Sequence, residues 1–204
     1  MSDLVWFDQA VLNALSAIAD NGVKSAATGF SEMVGRAVKP GKPMASLVPI
    51  LKIPNYIGGP DDDAVGIYLR FDGDLEGQVM LIVPYSKAYE LVDLLVGEKP
   101  GTTQELGSLE KSAMGELGNL CASFFLNSLA KSIGASFRPT PPAVMVDMVG
   151  AILDIVVATT GGVDEHILLL HSAFADEARF IDVDFWVIPD TKILQELLKK
   201  TTSL

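Results

Sequence analysis

The chain has few of the residues by which common catalytic classes are recognised. Its 204 residues include one cysteine and two histidines. The single Cys121 cannot form an internal disulfide, and its apolar surroundings predict a buried, reduced thiol. There is no Ser-His-Asp set, no Gly-x-Ser-x-Gly motif and no Walker phosphate-binding loop, which argues against a conventional hydrolase. No hydrophobic run reaches the length of a membrane span.

Positive charge is also scarce. Lysine and arginine number 15 against 26 aspartate and glutamate residues, so the net charge is −11. Nucleic acid and anionic membrane surfaces are therefore not expected partners. The N-terminal residues lack the basic start and long apolar stretch of a signal peptide, and we expect a cytoplasmic protein.

Metal-ligating residues do not cluster in the sequence. His166 and His171 fall in a predicted strand at a spacing that places them on opposite faces, which indicates structural roles. We therefore expect the chain itself to bind no cofactor.

A spaced polar string is the most informative feature that is present. Its members are separated by three, two and twenty-two residues, and they are Ser112, Glu116, Asn119 and Pro142. An altered copy lies 99 residues earlier, at Asn13, Ala17, Asp20 and Pro43. Gly35 matches Gly134 at the same offset. The sequence therefore predicts one domain over residues 1–204 built from two pseudo-twofold-related halves, residues 1–97 and 104–204.

Both halves follow the same plan of a long helix, strands and a shorter helix. Helices are predicted at residues 7–34 (loosened at Gly22), 84–95, 106–133 and 189–200. Strands are predicted at residues 43–53, 64–71, 78–83, 143–149, 152–158, 167–171 and 180–187, with turns at Asp72-Gly73 and Gly161-Gly162. Short connections favour a mainly antiparallel sheet covered by four helices, which is an α+β fold.

The second long helix is predicted to present a narrow polar face. The five polar residues at spacings of four, three, four and four are Ser112, Glu116, Asn119, Ser123 and Asn127. They fall within a stripe about 80° wide on a helix that is otherwise apolar. Asparagine is a poor helix former, so its mid-helix position at Asn119 suggests a function. Gly115 borders the stripe, where it allows either close approach of a partner or tight helix packing.

The string Ser112-x3-Glu116-x2-Asn119-x22-Pro142 resembles the signature of the CheC, CheX and FliY family of chemotaxis phosphatases. The family pattern is Asp or Ser, three residues, Glu, two residues, Asn, twenty-two residues, Pro. The resemblance covers the whole chain, and it implies a CheC-like fold with long motif-bearing helices packed on the sheet.

The resemblance implies hydrolysis of the aspartyl phosphate of a CheY-like response-regulator receiver. Glu116 would dock on a receiver lysine, Asn119 would orient the attacking water, and Ser112, Gly115 and Pro142 would contribute to partner binding. An acyl phosphate is already labile, so positioning the water is the main task. The divalent metal, Mg²⁺, would belong to the receiver.

The first half departs from this pattern. Ala17 replaces the docking glutamate and Asp20 replaces the asparagine, and a carboxylate there repels a phosphoryl group, so we interpret this site as degenerate. Lys24 is spaced to pair with Asp20. Phe124 and Phe125 make the helix after Asn119 bulkier than expected for the family. Two alternatives stay open: a non-catalytic CheC-like adaptor that binds a receiver or a CheD-type deamidase, and a structural part of a flagellar switch.

Overall fold

A long helix followed by two short strands occurs twice among the described residues. The computed structural model describes residues 8–49, 52–54, 59–159, 166–177 and 181–190, which contain four α-helices and eight strands. The helices are α1 (Gln9–Val34), α2 (Tyr85–Val96), α3 (Ser108–Ile133) and α4 (Val149–Thr159). The strands are β1 (Lys39–Pro40), β2 (Met44–Pro49), β3 (Asp63–Gly73), β4 (Gly77–Pro84), β5 (Phe137–Pro139), β6 (Ala143–Met148), β7 (His166–Ala175) and β8 (Asp182–Pro189).

The strands of the two halves interleave in one antiparallel sheet. Its order is β1-β7-β8-β4-β3-β5, with β2 also paired to β7 and β6 also paired to β3. The bounds of α1 and α3 differ by 99 residues, and so do those of β2 and β6. Each strand that follows a long helix therefore pairs with the hairpin of the other half. The division of the chain between residues 97 and 104 stays a prediction.

Helices cover both faces of this sheet. The larger core cluster joins α1, α2 and α3 to one face, and a smaller cluster joins α4 to the other. The predicted α+β fold, with long helices packed on a mainly antiparallel sheet, is confirmed.

The long helices begin and end where local chemistry favours it. The Asp8 carboxylate caps α1 by accepting a 2.9 Å hydrogen bond from the Val11 amide. Gly35 and Gly134 end α1 and α3 in the left-handed conformation, with φ of 66° and 67°. The predicted loosening of α1 at Gly22 is wrong, because the helix is continuous there. A Cβ on Gly22 would lie 2.6 Å from the Phe125 ring, so glycine serves the packing of α1 on α3.

The strand predicted at residues 152–158 is also wrong, because these residues belong to α4. Their many β-branched side chains favour a strand locally. However, the buried side chains recur at helical spacing, at Val149, Ile152, Leu153 and Val156. Burial of that apolar face against the sheet outweighs the local preference.

Smaller differences concern strand ends and turns. The Asp72-Gly73 pair lies inside β3, and the hairpin turn follows at residues 74–76. Gly73 has φ of 129°, and a Cβ there would lie 2.1 Å from the Ser136 carbonyl oxygen, so this position requires glycine. The strand predicted at residues 43–53 corresponds to β2, which ends at Pro49. The predicted start of the last helix at Pro189 is wrong, because Pro189 is the last residue of β8. The rest of that predicted helix, residues 191–200, and the turn at residues 161–162 lie outside the described residues.

The segment between α2 and α3 is anchored by one buried carboxylate. Asp93 accepts hydrogen bonds from the amides of Gly101, Thr102 and Thr103 and from the Thr103 hydroxyl, at 2.6–3.1 Å. Burial opposes ionisation of this carboxyl group, but these hydrogen bonds outweigh it and lower the pKa of Asp93. The connection therefore fixes the start of α3, the helix that carries the polar stripe.

Candidate functional site

The polar stripe of α3 faces outward. Ser112, Glu116 and Asn127 are exposed, and Asn119 and Ser123 are half-buried. The opposite faces of the helix are buried against the core through Met114, Leu117, Cys121, Phe125 and Leu129. The predicted outward polar stripe is therefore confirmed. The predicted buried thiol is confirmed as well, and burial raises the pKa of Cys121 above its ordinary value.

Three of the motif side chains have no partner among the described residues. In the part of the chain that the structure describes, no hydrogen bond or ion pair holds the side chains of Ser112, Glu116 or Asn119. Glu116 and Asn119 are three residues apart on the helix and therefore neighbours on one face. This leaves a carboxylate and an amide side by side, both free to bind an external group.

Pro142 lies against the helix at Gly115, the residue before Glu116. A Cβ on Gly115 would be 3.4 Å from Pro142 Cγ and 3.6 Å from Val144 Cγ2. Gly115 is buried in this contact, but an added Cβ would lie at ordinary van der Waals distances, so helix packing does not require a glycine here. The role of Gly115 in partner binding stays a prediction. Thr140, two residues before Pro142, holds this turn against β3. Its amide donates a 2.8 Å hydrogen bond to the Arg70 carbonyl oxygen, and its hydroxyl accepts a 3.0 Å hydrogen bond from the Arg70 amide.

A second glycine, Gly118, allows α3 to pack closely on the sheet, and it is not among the predicted site residues. A Cβ on Gly118 would lie 2.4 Å from Ile67 Cγ2, so α3 approaches β3 more closely than a side chain allows. Gly118 directly precedes Asn119, and its equivalent in the first half is Ala19. A glycine in mid-helix, where an alanine stands in the repeat, is the sequence feature that could have indicated this close approach.

Alanine substitutions at the two glycines should have opposite effects on stability. Gly115→Ala makes ordinary van der Waals contacts and should stabilise the protein by up to about 1 kcal/mol through helix propensity. Gly118→Ala gains the same propensity but clashes with the buried Ile67, and a net loss of about 1–3 kcal/mol is expected. Urea unfolding of both variants measures this. Equal unfolding midpoints would contradict the close approach at Gly118.

The altered copy on α1 has kept its geometry. Asn13 and Ala17 are exposed and Asp20 is half-buried, the same exposures as Ser112, Glu116 and Asn119. The predicted pair is present, because Lys24 Nζ lies 2.5 Å from Asp20 Oδ2.

The copies differ in how the long helix holds the following strand. Ser16 stands where the second half has Gly115, and its hydroxyl accepts a 2.8 Å hydrogen bond from the Ala45 amide. Pro43, the equivalent of Pro142, is buried. The helix and strand are therefore joined by a hydrogen bond in the first half and by apolar packing in the second.

The remaining ionisable side chains do not form a metal site in the described residues, where no group of three His, Cys, Asp or Glu residues is suited to hold an ion. His171 Nε2 lies 2.7 Å from Asp184 Oδ1, and its ring packs edge-on to the buried Trp186. These contacts support the interpretation of His171 as a structural residue. Among the described helices, none has both the length and the apolar character needed to span a membrane.

Comparisons with known proteins agree with the motif and the fold. The family model described as "CheC-like family" matches residues 109–146, which contain all four positions of the intact string. A protein of Bacillus subtilis (strain 168), named CheY-P phosphatase CheC, is 25% identical over 190 residues, covering 91% of each chain.

Two solved structures share the fold at lower identity. The crystal structure of Thermotoga maritima FliY superimposes with a TM-score of 0.74 at 18% identity, covering 97% of this chain and 98% of that one. The CheX-CheY-BeF3-Mg²⁺ complex of Borrelia burgdorferi gives a TM-score of 0.56 at 15% identity, covering 83% of this chain and 95% of that one.

Proposed function

We propose that this chain, which is similar to CheC-like proteins, is a phosphatase acting on the aspartyl phosphate of a CheY-like receiver domain. The observation that carries this proposal is the unengaged pair of Glu116 and Asn119 on the outward face of α3. The name of the Bacillus subtilis relative supports the reaction, and the receiver in the Borrelia burgdorferi complex supports the class of partner.

Asn119 is the group proposed to orient the attacking water. Water oxygen forms a bond to phosphorus, the bond from phosphorus to the aspartyl oxygen breaks, and the carboxylate leaves while the water proton passes to phosphate. A neutral amide can accept a hydrogen bond from the water and donate one to a phosphoryl oxygen without repelling it. The half-burial of Asn119 restricts its side chain, which favours one orientation.

Glu116 is proposed to dock the receiver. Its carboxylate is exposed and adjacent to Asn119, so an ion pair with a receiver lysine would bring the phosphoryl group to the amide. Ser112, one turn before Glu116, adds a hydroxyl to the same surface. The divalent ion that neutralises the phosphoryl oxygens is proposed to be the receiver's own Mg²⁺.

The charge of Glu116 should control affinity for the receiver. Glu116→Ala removes one charged contact, which is expected to weaken binding about tenfold. Glu116→Lys should weaken it further, because the new positive charge repels the receiver lysine. Calorimetry with the wild-type protein and the two variants measures the order. Glu76→Lys, at an exposed residue in the turn between β3 and β4, provides the control for a change of net charge. Three equal dissociation constants would remove Glu116 from the interface.

A further inference from the structure

An exposed leucine, Leu109, lies in line with the polar stripe of α3, near the N-terminus of this helix. Leu109 is 65% exposed, the largest fraction among the large hydrophobic side chains of the described residues. It precedes Glu116 by seven residues, so it lies about 10 Å along the helix and about 20° around it. Leu109 therefore lies on the same face of α3 as Glu116 and Asn119, and one partner protein of ordinary interface size could contact all three residues.

The positions equivalent to Leu109 and to its exposed neighbours on β6 differ between the two halves. Leu109 corresponds to Ala10 on α1, where no large apolar group is presented. On β6, Val146 and Met148 are also exposed, and strand alternation places them on the same side as Val144, which packs against α3. The first-half equivalents are the half-buried residues Leu47 and Pro49.

The charge around Leu109 indicates what covers it. Residues 105–116 hold three carboxylates and one lysine, and the whole chain carries a net charge of −11. A second copy would bring two acidic surfaces together, which costs binding energy. A partner whose apolar patch is bordered by positive charge is complementary to this surface.

We propose that Leu109 is a docking residue that packs on an apolar part of the receiver, beside the lysine that Glu116 engages. This inference rests on the proposed function, since it assigns Leu109 to the same partner. It also predicts that the first half binds the receiver less well even when its polar residues are restored, because Ala10 offers no large apolar contact at this position.

The experiment compares binding and turnover in matched variants. Leu109→Ala reproduces the first-half residue, and Met44→Ala removes another highly exposed side chain, on β2 in the first half. The ligand is the beryllofluoride-activated receiver that the wild-type protein binds most tightly. Leu109→Ala should raise the dissociation constant about tenfold, with the loss of phosphatase activity falling on KM rather than kcat. Met44→Ala should match the wild type.

Each other outcome overturns the inference in a distinguishable way. An unchanged dissociation constant for Leu109→Ala removes this residue from the interface, while the effect of Asn119→Ala on rate still tests the proposed function. Self-association that is abolished by Leu109→Asp, with receiver binding intact, makes a second copy the occupant. A wild-type protein that binds no activated receiver overturns both the docking residue and the proposed function.

Discussion

Replacing Asn119 by alanine is expected to lower the rate of receiver dephosphorylation by about 10²–10³-fold, the usual loss when one well-placed polar group is removed. The amide is unengaged within the protein, so its removal breaks no described internal hydrogen bond. Stability should stay within about ±0.5 kcal/mol of the wild type. Phosphate release under saturating receiver measures the rate, and circular dichroism checks the fold.

Asn127→Ala is the matched control for this variant. Asn127 is the same residue type on the same stripe of α3, two turns further along, and it is exposed. The control should keep the wild-type rate. If Asn119→Ala also keeps it, or if both variants lose activity equally, the assignment of Asn119 as the water-orienting residue is wrong.

Rebuilding the first-half site should restore activity to the inactive Asn119→Ala protein. The changes are Ala17→Glu, Asp20→Asn and Lys24→Ser, which copy Glu116, Asn119 and Ser123. Ala17 and Asp20 already have the same exposures as Glu116 and Asn119, and the third change removes the lysine that now pairs with Asp20. Recovery of at least about tenfold over Asn119→Ala is expected, because one working amide is worth about 10²–10³.

Lys24→Ser alone, in the same Asn119→Ala background, is the control and should recover nothing. A further Ala10→Leu change should improve the rebuilt site if Leu109 docks the receiver. A folded but inactive rebuilt protein would show that α1 has diverged in shape as well as in side chains. Ser16 in place of Gly115 is one difference that could cause this, since it joins α1 to β2 by a hydrogen bond rather than by packing on a proline.

The long helices and the polar stripe could be predicted because their determinants are local. Gly35 and Gly134 end α1 and α3, and the 3.6-residue period separates the stripe from the core. The offset of 99 residues also matched the bounds of α1 with α3 and of β2 with β6. These features depend on residues a few positions apart, which a sequence displays directly.

Features set by tertiary contacts could not be predicted in the same way. Residues 152–156 contain several β-branched side chains, which favour a strand locally. They form part of α4 instead, because this helix buries its apolar face against the second face of the sheet. The close approach at Gly118 depends on Ile67, which is distant in sequence. The interleaving of the halves follows from the pairing of β6 with β3 and of β2 with β7, which repeat symmetry alone does not specify.

Phosphate release from a panel of phosphorylated receiver domains, with and without this protein, tests the central claim most directly. Each receiver is phosphorylated with a small-molecule donor, the donor is removed, and release is followed in the presence of Mg²⁺. The account predicts that catalytic amounts of the wild-type protein accelerate release from at least one CheY-like receiver and that Asn119→Ala does not. Binding to a receiver with no acceleration by the wild-type protein would contradict the claim and favour a non-catalytic adaptor.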